Sequence, residues 1–239
     1  IKDAAAGQLH PDMLDESLFE ALKCLHLMGS TLSIHQASLQ TGLRAVELAS
    51  KQGAKISFDP NLRPQLMPIE EAKTAFAPIL KAADVIIPTA EEITLLTDTA
   101  TVNDAVVFLL ADGPPERQII VTEGEAGCTL YSRHTPQGVQ IPGFAVDEID
   151  PTGAGDCFDA GFLVRWLGGH SPHEAARWAN ACGALAVTVQ GPMAGARRSD
   201  EIEAFLKSVR ALAGDRKVTA IFQPHLYSRT NAFKLAFAQ

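Results

Sequence analysis

Short apolar runs alternate along this chain with longer stretches in which apolar residues recur every three or four positions. Runs of four or five residues read as strands, and the 3.6-residue recurrence reads as amphipathic helix. Strands are predicted at 24–28, 55–58, 84–87 and 118–122, then as a pair at 127–131 and 139–141. Helices are predicted over 34–52, 69–82, 89–97, 101–111, 155–168, 172–190 and 199–213. Such alternation predicts an α/β fold, a mostly parallel sheet with helices packed against it. Helix starts are marked. Ser171-Pro172-His173-Glu174 sets a cap, a first-turn proline and a capping-box glutamate in order. Thr89 with Glu91 and Glu92, and Ser199 with Asp200 and Glu201, put acids where the helix dipole favours them. Phe158, Phe162, Leu163, Trp166 and Leu167 share one helical face and are predicted to be core. There is no internal repeat and no low-complexity segment.

Composition changes this picture little. The 239 residues fit one large domain, or one domain with an appendage. A formal net charge of -8 argues against nucleic acid or an anionic membrane surface as the main partner. Cys24, Cys128, Cys157 and Cys182 have neither metal-ligand spacing nor a pairing pattern, and read as reduced core residues. No run reaches the roughly 18 apolar residues of a membrane span, and no signal peptide is seen. A cytoplasmic enzyme is the expectation.

The candidate chemistry lies in Asp150-Pro-Thr-Gly-Ala-Gly-Asp-Cys157. Gly153, Ala154 and Gly155 form a turn whose backbone can approach a ligand closely, and the helix that follows aims its N-terminal N–H groups at the same spot. Asp156 would repel a resting phosphate, so it needs a chemical reason to be there. Taking the proton from an attacking hydroxyl is one, which reads as a kinase of small alcohols. Phosphoryl transfer asks mainly for positioning and positive potential. No Gly-x-x-x-x-Gly-Lys pattern is present to bind phosphate, so the task falls to residues 153–156. As a bare pattern the same glycines could be a simple tight turn.

The segment Ile149-Asp-Pro-Thr-Gly-Ala-Gly-Asp-Cys-Phe-Asp-Ala-Gly-Phe162 resembles the C-terminal signature of the ribokinase/PfkB family of carbohydrate kinases. The resemblance implies a ribokinase-like three-layer α/β/α fold, with ATP and Mg2+ as cofactors and a sugar as substrate. It also implies that Asp156 is the general base, with Gly153, Ala154 and Gly155 as the anion hole. Phe58-Asp-Pro-Asn-Leu-Arg-Pro64 is similar to the family's DPNxR segment, which would set Asn61 and Arg63 near substrate and nucleotide phosphates. Read without the family, Asp-Pro-Asn is a turn after a strand. Val85-Ile-Ile-Pro-Thr-Ala-Glu-Glu92 resembles the PNxxE motif, whose glutamate, here Glu92, helps hold the magnesium water shell; Thr89, where the family usually has asparagine, would lie on the nucleotide. Thr122-Glu-Gly-Glu-Ala-Gly127 is similar to the nucleotide loop and would place Thr122, Gly124 and Gly127 on the nucleotide. Asn180 matches an adenine contact, and Asp150 and Thr152 match a monovalent-cation site, K+ in some members. Gly191-Pro-Met-Ala-Gly195 and residues 6–14 look closest to kinases of ketoses and keto-sugar acids, such as tagatose kinase or 2-dehydro-3-deoxygluconokinase.

The resemblance runs from about residue 4 to about residue 212, so residues 1–213 read as a kinase domain. The family's first strands and β-sheet lid, which commonly forms a homodimer interface, are expected to be missing. A catalytically silent nucleotide-binding remnant, or a kinase of another small alcohol, are the competing readings. Residues 214–239 depart from the pattern. Lys217–Thr230, with His225 and Arg229, resembles a segment of UDP-N-acetylmuramate–alanine ligase and is expected to be a tail fragment without its own core.

Overall fold

The computed structural model describes residues 8–214. The ligase-like segment, with His225 and Arg229, lies outside the described residues. Two 3-10 turns, Pro11–Met13 and Glu16–Phe19, precede β1 (Cys24–Met28) and a single turn of helix, α1 (Gly29–Leu32). There follow α2 (Gln36–Lys51), β2 (Lys55–Asp59), α3 (Ile69–Ala82), β3 (Val85–Ile86), α4 (Ala90–Thr97), α5 (Val102–Ala111) and β4 (Gln118–Thr122). The chain continues through β5 (Gly127–Ser132), β6 (Thr135–Pro142), α6 (Ala154–Leu167), α7 (Pro172–Ala186) and α8 (Ser199–Gly214). The six strands form one sheet in the order β1-β2-β3-β4-β5-β6. The first four pair in parallel, in a register that sets Leu27 opposite Phe58, Phe58 opposite Ile86 and Ile86 opposite Ile119. Only two residues connect β5 to β6, which is the length of a hairpin.

The described residues form two compact units, 8–123 with 129–139, and 124–128 with 140–214. In the first, a core of Phe58, Phe76, Ile79, Ile86, Ile93 and Ile119 joins the strands to helices α2 to α5. Buried Arg117 closes it from beneath. Its guanidinium donates to the carbonyls of Leu80, Lys81 and Ala83 at the end of α3 and to that of Leu109 in α5. A cation there meets the negative ends of two helix dipoles. In the second unit, α7 and α8 share Trp178, Ala181, Leu185, Ile202 and Phe205. Gly161 lets α6 approach α7, since a Cβ there would meet Cys182 Sγ at 2.6 Å.

The expected elements are present with shifted ends. The helix predicted to reach 190 stops at Ala186, because the Val187 carbonyl accepts from the Ile149 and Asp150 N–H groups. Strand 84–87 narrows to two assigned residues, although Asp84 and Ile87 N–H still bond to β2 carbonyls. Leu167, expected in the core, is exposed, and Leu163 and Trp166 are half-buried. Helix α1 was not expected; one turn is too short to show a period, and Gly29 permits it by packing against the Pro60 carbonyl. The four cysteines are free, with Cys128 and Cys182 buried. Burial pushes the Cys182 thiol up to about 12, so it stays protonated and unreactive. No single helix among the described residues is long and apolar enough to cross a membrane.

Candidate functional site

In the first unit, candidate residues collect at the carboxyl ends of β2, β3 and β4, where open parallel sheets offer ligand crevices. Past β2 the chain turns at Pro60 and Asn61. Asn61 adopts φ 34°, in the left-handed region that a non-glycine residue enters at a cost. Its N–H donates to Asp59 Oδ1 at 2.9 Å. Arg63 is exposed, and its Nη1 donates to the Leu62 carbonyl at 2.9 Å. Past β3, Thr89 caps α4 in a full capping box with Glu92. The Glu92 carboxylate takes three donors: Thr89 N–H and hydroxyl on Oε2, and Leu62 N–H on Oε1 at 2.8 Å. One acceptor position, on Oε1, remains for a metal-bound water. Thr122, at the end of β4, pairs with Thr89 and donates its N–H to the Pro88 carbonyl.

In the second unit, Gly124 takes φ 59° with open space where a Cβ would stand. Gly127 is different: a Cβ there would lie 2.3 Å from the Ile141 carbonyl oxygen, so strand packing demands this glycine. Asn180 is buried, and its amide nitrogen donates to the carbonyls of Ile141 and Pro142, pinning α7 to the end of β6. That use is structural and spends its donor group.

The turn at the head of α6 is held by its own carboxylate. Asp150 accepts from Thr152 N–H on Oδ1 and from Gly191 N–H on Oδ2, at 3.0 and 2.8 Å. These bonds, those to Thr152 first, hold its carboxyl below the usual carboxylate range. Each oxygen keeps a free direction that a monovalent cation could use, and Thr152 is exposed beside it. Gly153 caps the helix at φ 85°, with the Pro192 carbonyl oxygen 2.0 Å from where a Cβ would be. Ala154 N–H is taken by the Pro151 carbonyl at 3.2 Å. Among the described residues, the N–H groups of Gly153, Gly155 and Asp156 have no acceptor. A Cβ on Gly155 would meet nothing within 4 Å. Three N–H groups at the head of α6 are thus without an acceptor among the described residues, and the space beside Gly155 is open.

Asp156 follows these groups in the first turn of α6. At four other helix starts the acid in the third position bonds back to its cap: Glu92 to Thr89, Asp104 to Thr101, Glu174 to Ser171 and Glu201 to Arg198. Asp156 occupies the same position in α6, is exposed, and makes no hydrogen bond or ion pair among the described residues. Its carboxylate is therefore left for another use. Sequence reasoning missed Gly191 and Pro192 as partners of this turn; they entered it only through a resemblance to kinases of ketoses and keto-sugar acids.

The pfkB family carbohydrate kinase model matches residues 1–198. Fructokinase-1 of Zea mays is 36% identical over 191 residues, covering 77% of this chain and 58% of that protein. The structure of a "putative Ribokinase II" from E. coli in complex with ATP and Mg2+ superposes with a TM-score of 0.81 at 36% identity, over 87% of this chain and 66% of that one. A fructokinase double mutant from Vibrio cholerae, with fructose, ADP and potassium bound, gives 0.70 at 30% identity, over 81% and 64%. The chain thus spans about three fifths of the length of the curated relatives it matches. Its fold is the ribokinase-like α/β fold, a mostly parallel six-stranded sheet flanked by helices. With the family model matched over residues 1–198, the chain belongs to the pfkB family of carbohydrate kinases.

Proposed function

We propose that this chain carries the phosphoryl-transfer chemistry of an ATP-dependent kinase acting on a hydroxyl of a small sugar, a ketose or keto-sugar acid. One observation carries the reading: three unclaimed N–H groups stand at the head of α6 beside a carboxylate excluded from capping duty. Asp156 takes the proton as the sugar oxygen attacks the γ-phosphorus; the bond from that phosphorus to the bridging oxygen breaks, and ADP leaves. The N–H groups of Gly153, Gly155 and Asp156 face the negative charge on the phosphoryl oxygens as it moves. Ala154 serves through its position in the turn, since its own N–H is engaged.

In the first unit, Asn61 and Arg63 are assigned to anionic groups of nucleotide or substrate, Arg63 through its forked guanidinium. Thr122 and Gly124 are assigned to the nucleotide, and the exposed backbone at Gly124 suits a close approach. Asn180 and Gly127, both engaged in packing, are assigned to shaping the nucleotide side. Mg2+, when bound, neutralises charge on the ATP phosphates, and Glu92 offers it one water-mediated acceptor. Among the described residues no three His, Cys, Asp or Glu side chains gather as a metal site, so Mg2+ would rely on phosphate oxygens and water, its common mode. Asp150 and Thr152 are assigned to K+. The ketose class is supported by the fructokinases among the relatives.

The test is Asp156→Asn in the full chain, with ADP formation followed against a panel of ketoses, keto-sugar acids and nucleosides. Turnover should fall by about 10²- to 10⁴-fold, with ATP affinity nearly unchanged. Near-normal turnover would remove Asp156 as the base. ATP binding without transfer to any acceptor by the unaltered chain would replace the kinase reading with that of a nucleotide-binding remnant.

A further inference from the structure

Two successive peptide N–H groups after β2 are each given to a carboxylate. Asn61 N–H donates to Asp59, its near neighbour, and Leu62 N–H donates to Glu92, thirty positions further along the chain. Together they hold a turn that includes a non-glycine residue at φ 34°. Local strain of that kind persists only where the surroundings over-determine it. The Leu62 side chain is buried, so the turn is anchored from below as well. Arg63 leans on the carbonyl of the same Leu62, which ties its guanidinium to the geometry of the turn.

The Glu92 carboxylate links this turn to α4. Three of the roughly four acceptor directions of its carboxylate are filled by protein donors. We propose that Glu92 is a positioning residue: it locks the Asn61–Arg63 turn through the Leu62 amide, so that Asn61 and Arg63 meet an anionic ligand group in one fixed direction. What the turn is presented to rests on the kinase reading; the lock itself does not.

Glu92→Asp is the sharpest probe. Asp104 already forms the equivalent cap with Thr101 at α5, so a shorter acid still caps α4 but no longer reaches Leu62. Amide hydrogen exchange at Asn61 and Leu62 is measured in the full chain without nucleotide or metal, and Mg·ADP affinity is measured by calorimetry at rising Mg2+. We expect Leu62 to exchange at least tenfold faster, and ADP to bind at least fivefold more weakly with no recovery at saturating Mg2+. Thr89→Val controls for helix stability: it removes the capping hydroxyl and should leave Leu62 protected. Glu92→Gln keeps the reach but has a single acceptor oxygen, so it can serve Leu62 or Thr89 and not both.

Unchanged exchange at Leu62 in both Glu92 variants overturns the lock. Faster exchange with unaltered ADP affinity overturns the positioning role. Affinity that recovers fully with added Mg2+ assigns Glu92 to the metal's water shell instead. No ADP binding by the unaltered chain sinks the kinase reading on which the role rests, and exchange at Leu62 still reports on the lock.

Discussion

Gly153 and Gly155 stand two residues apart in one turn and are glycine for opposite reasons. Gly153 is fixed by the fold: it needs φ 85°, and the Pro192 carbonyl fills the place of a side chain. Gly155 has ordinary helical surroundings and empty space above it. Gly153→Ala should destabilise the protein by about 2 kcal/mol or more, from the left-handed backbone and the clash. Gly155→Ala should leave the melting temperature equal or slightly raised, since alanine favours helix by up to about 1 kcal/mol. It should nonetheless weaken Mg·ADP binding and turnover by filling that space. Thermal melts paired with binding assays separate the two; equal losses of stability in both variants would contradict this division. The sequence made both glycines visible as a ligand-approach turn but could not divide their duties, because Pro192 is distant in the chain.

At the scale of elements, Arg117 makes a buried joint under α3 and α5. A buried cation is tolerated there because four carbonyls at helix ends surround it. Arg117→Met keeps the volume and strips those carbonyls of their donors, at a cost of about 3–5 kcal/mol. Gly113→Ala attacks the same joint without touching Arg117, since its Cβ would lie 2.0 Å from the guanidinium carbon. Denaturant melts should show both variants clearly destabilised, and the double variant losing less than the sum of the singles. Full additivity would mean the two residues do not share one joint. Most helices and strands were legible from period and capping residues. Their ends were less so: α7 stops where the loop before Asp150 takes its last carbonyl, a contact that no helical pattern announces.

Over the whole molecule, acid stability follows from carboxylates that accept hydrogen bonds. Asp15 from Ser17, Asp150 from Thr152 and Gly191, and Glu174 from Ser171 are each held below the usual carboxylate range. A depressed folded-state pKa contributes stability in full above the unfolded value, about 3.9 for Asp and 4.3 for Glu, and loses it as pH falls through the lower folded value. The melting temperature should therefore be flat from pH 7 to about 5 and fall steadily below about 4. Asp150→Asn should give a shallower acid limb, because one of its two clamping bonds no longer depends on a charge; an identical slope would exclude Asp150 from the effect. The sequence alone determined the order of strands and helices, the family signature and the presence of an acid after a glycine turn. Those are written in residues adjacent in the chain, where period, capping and turn chemistry act. Only the tertiary structure decided which amides stay free at that turn, which glycine is structural, and that the Glu92 carboxylate is drawn to Leu62. Each depends on groups brought together from distant parts of the chain, by up to 41 positions between Asp150 and Gly191, and packing alone selects such partners.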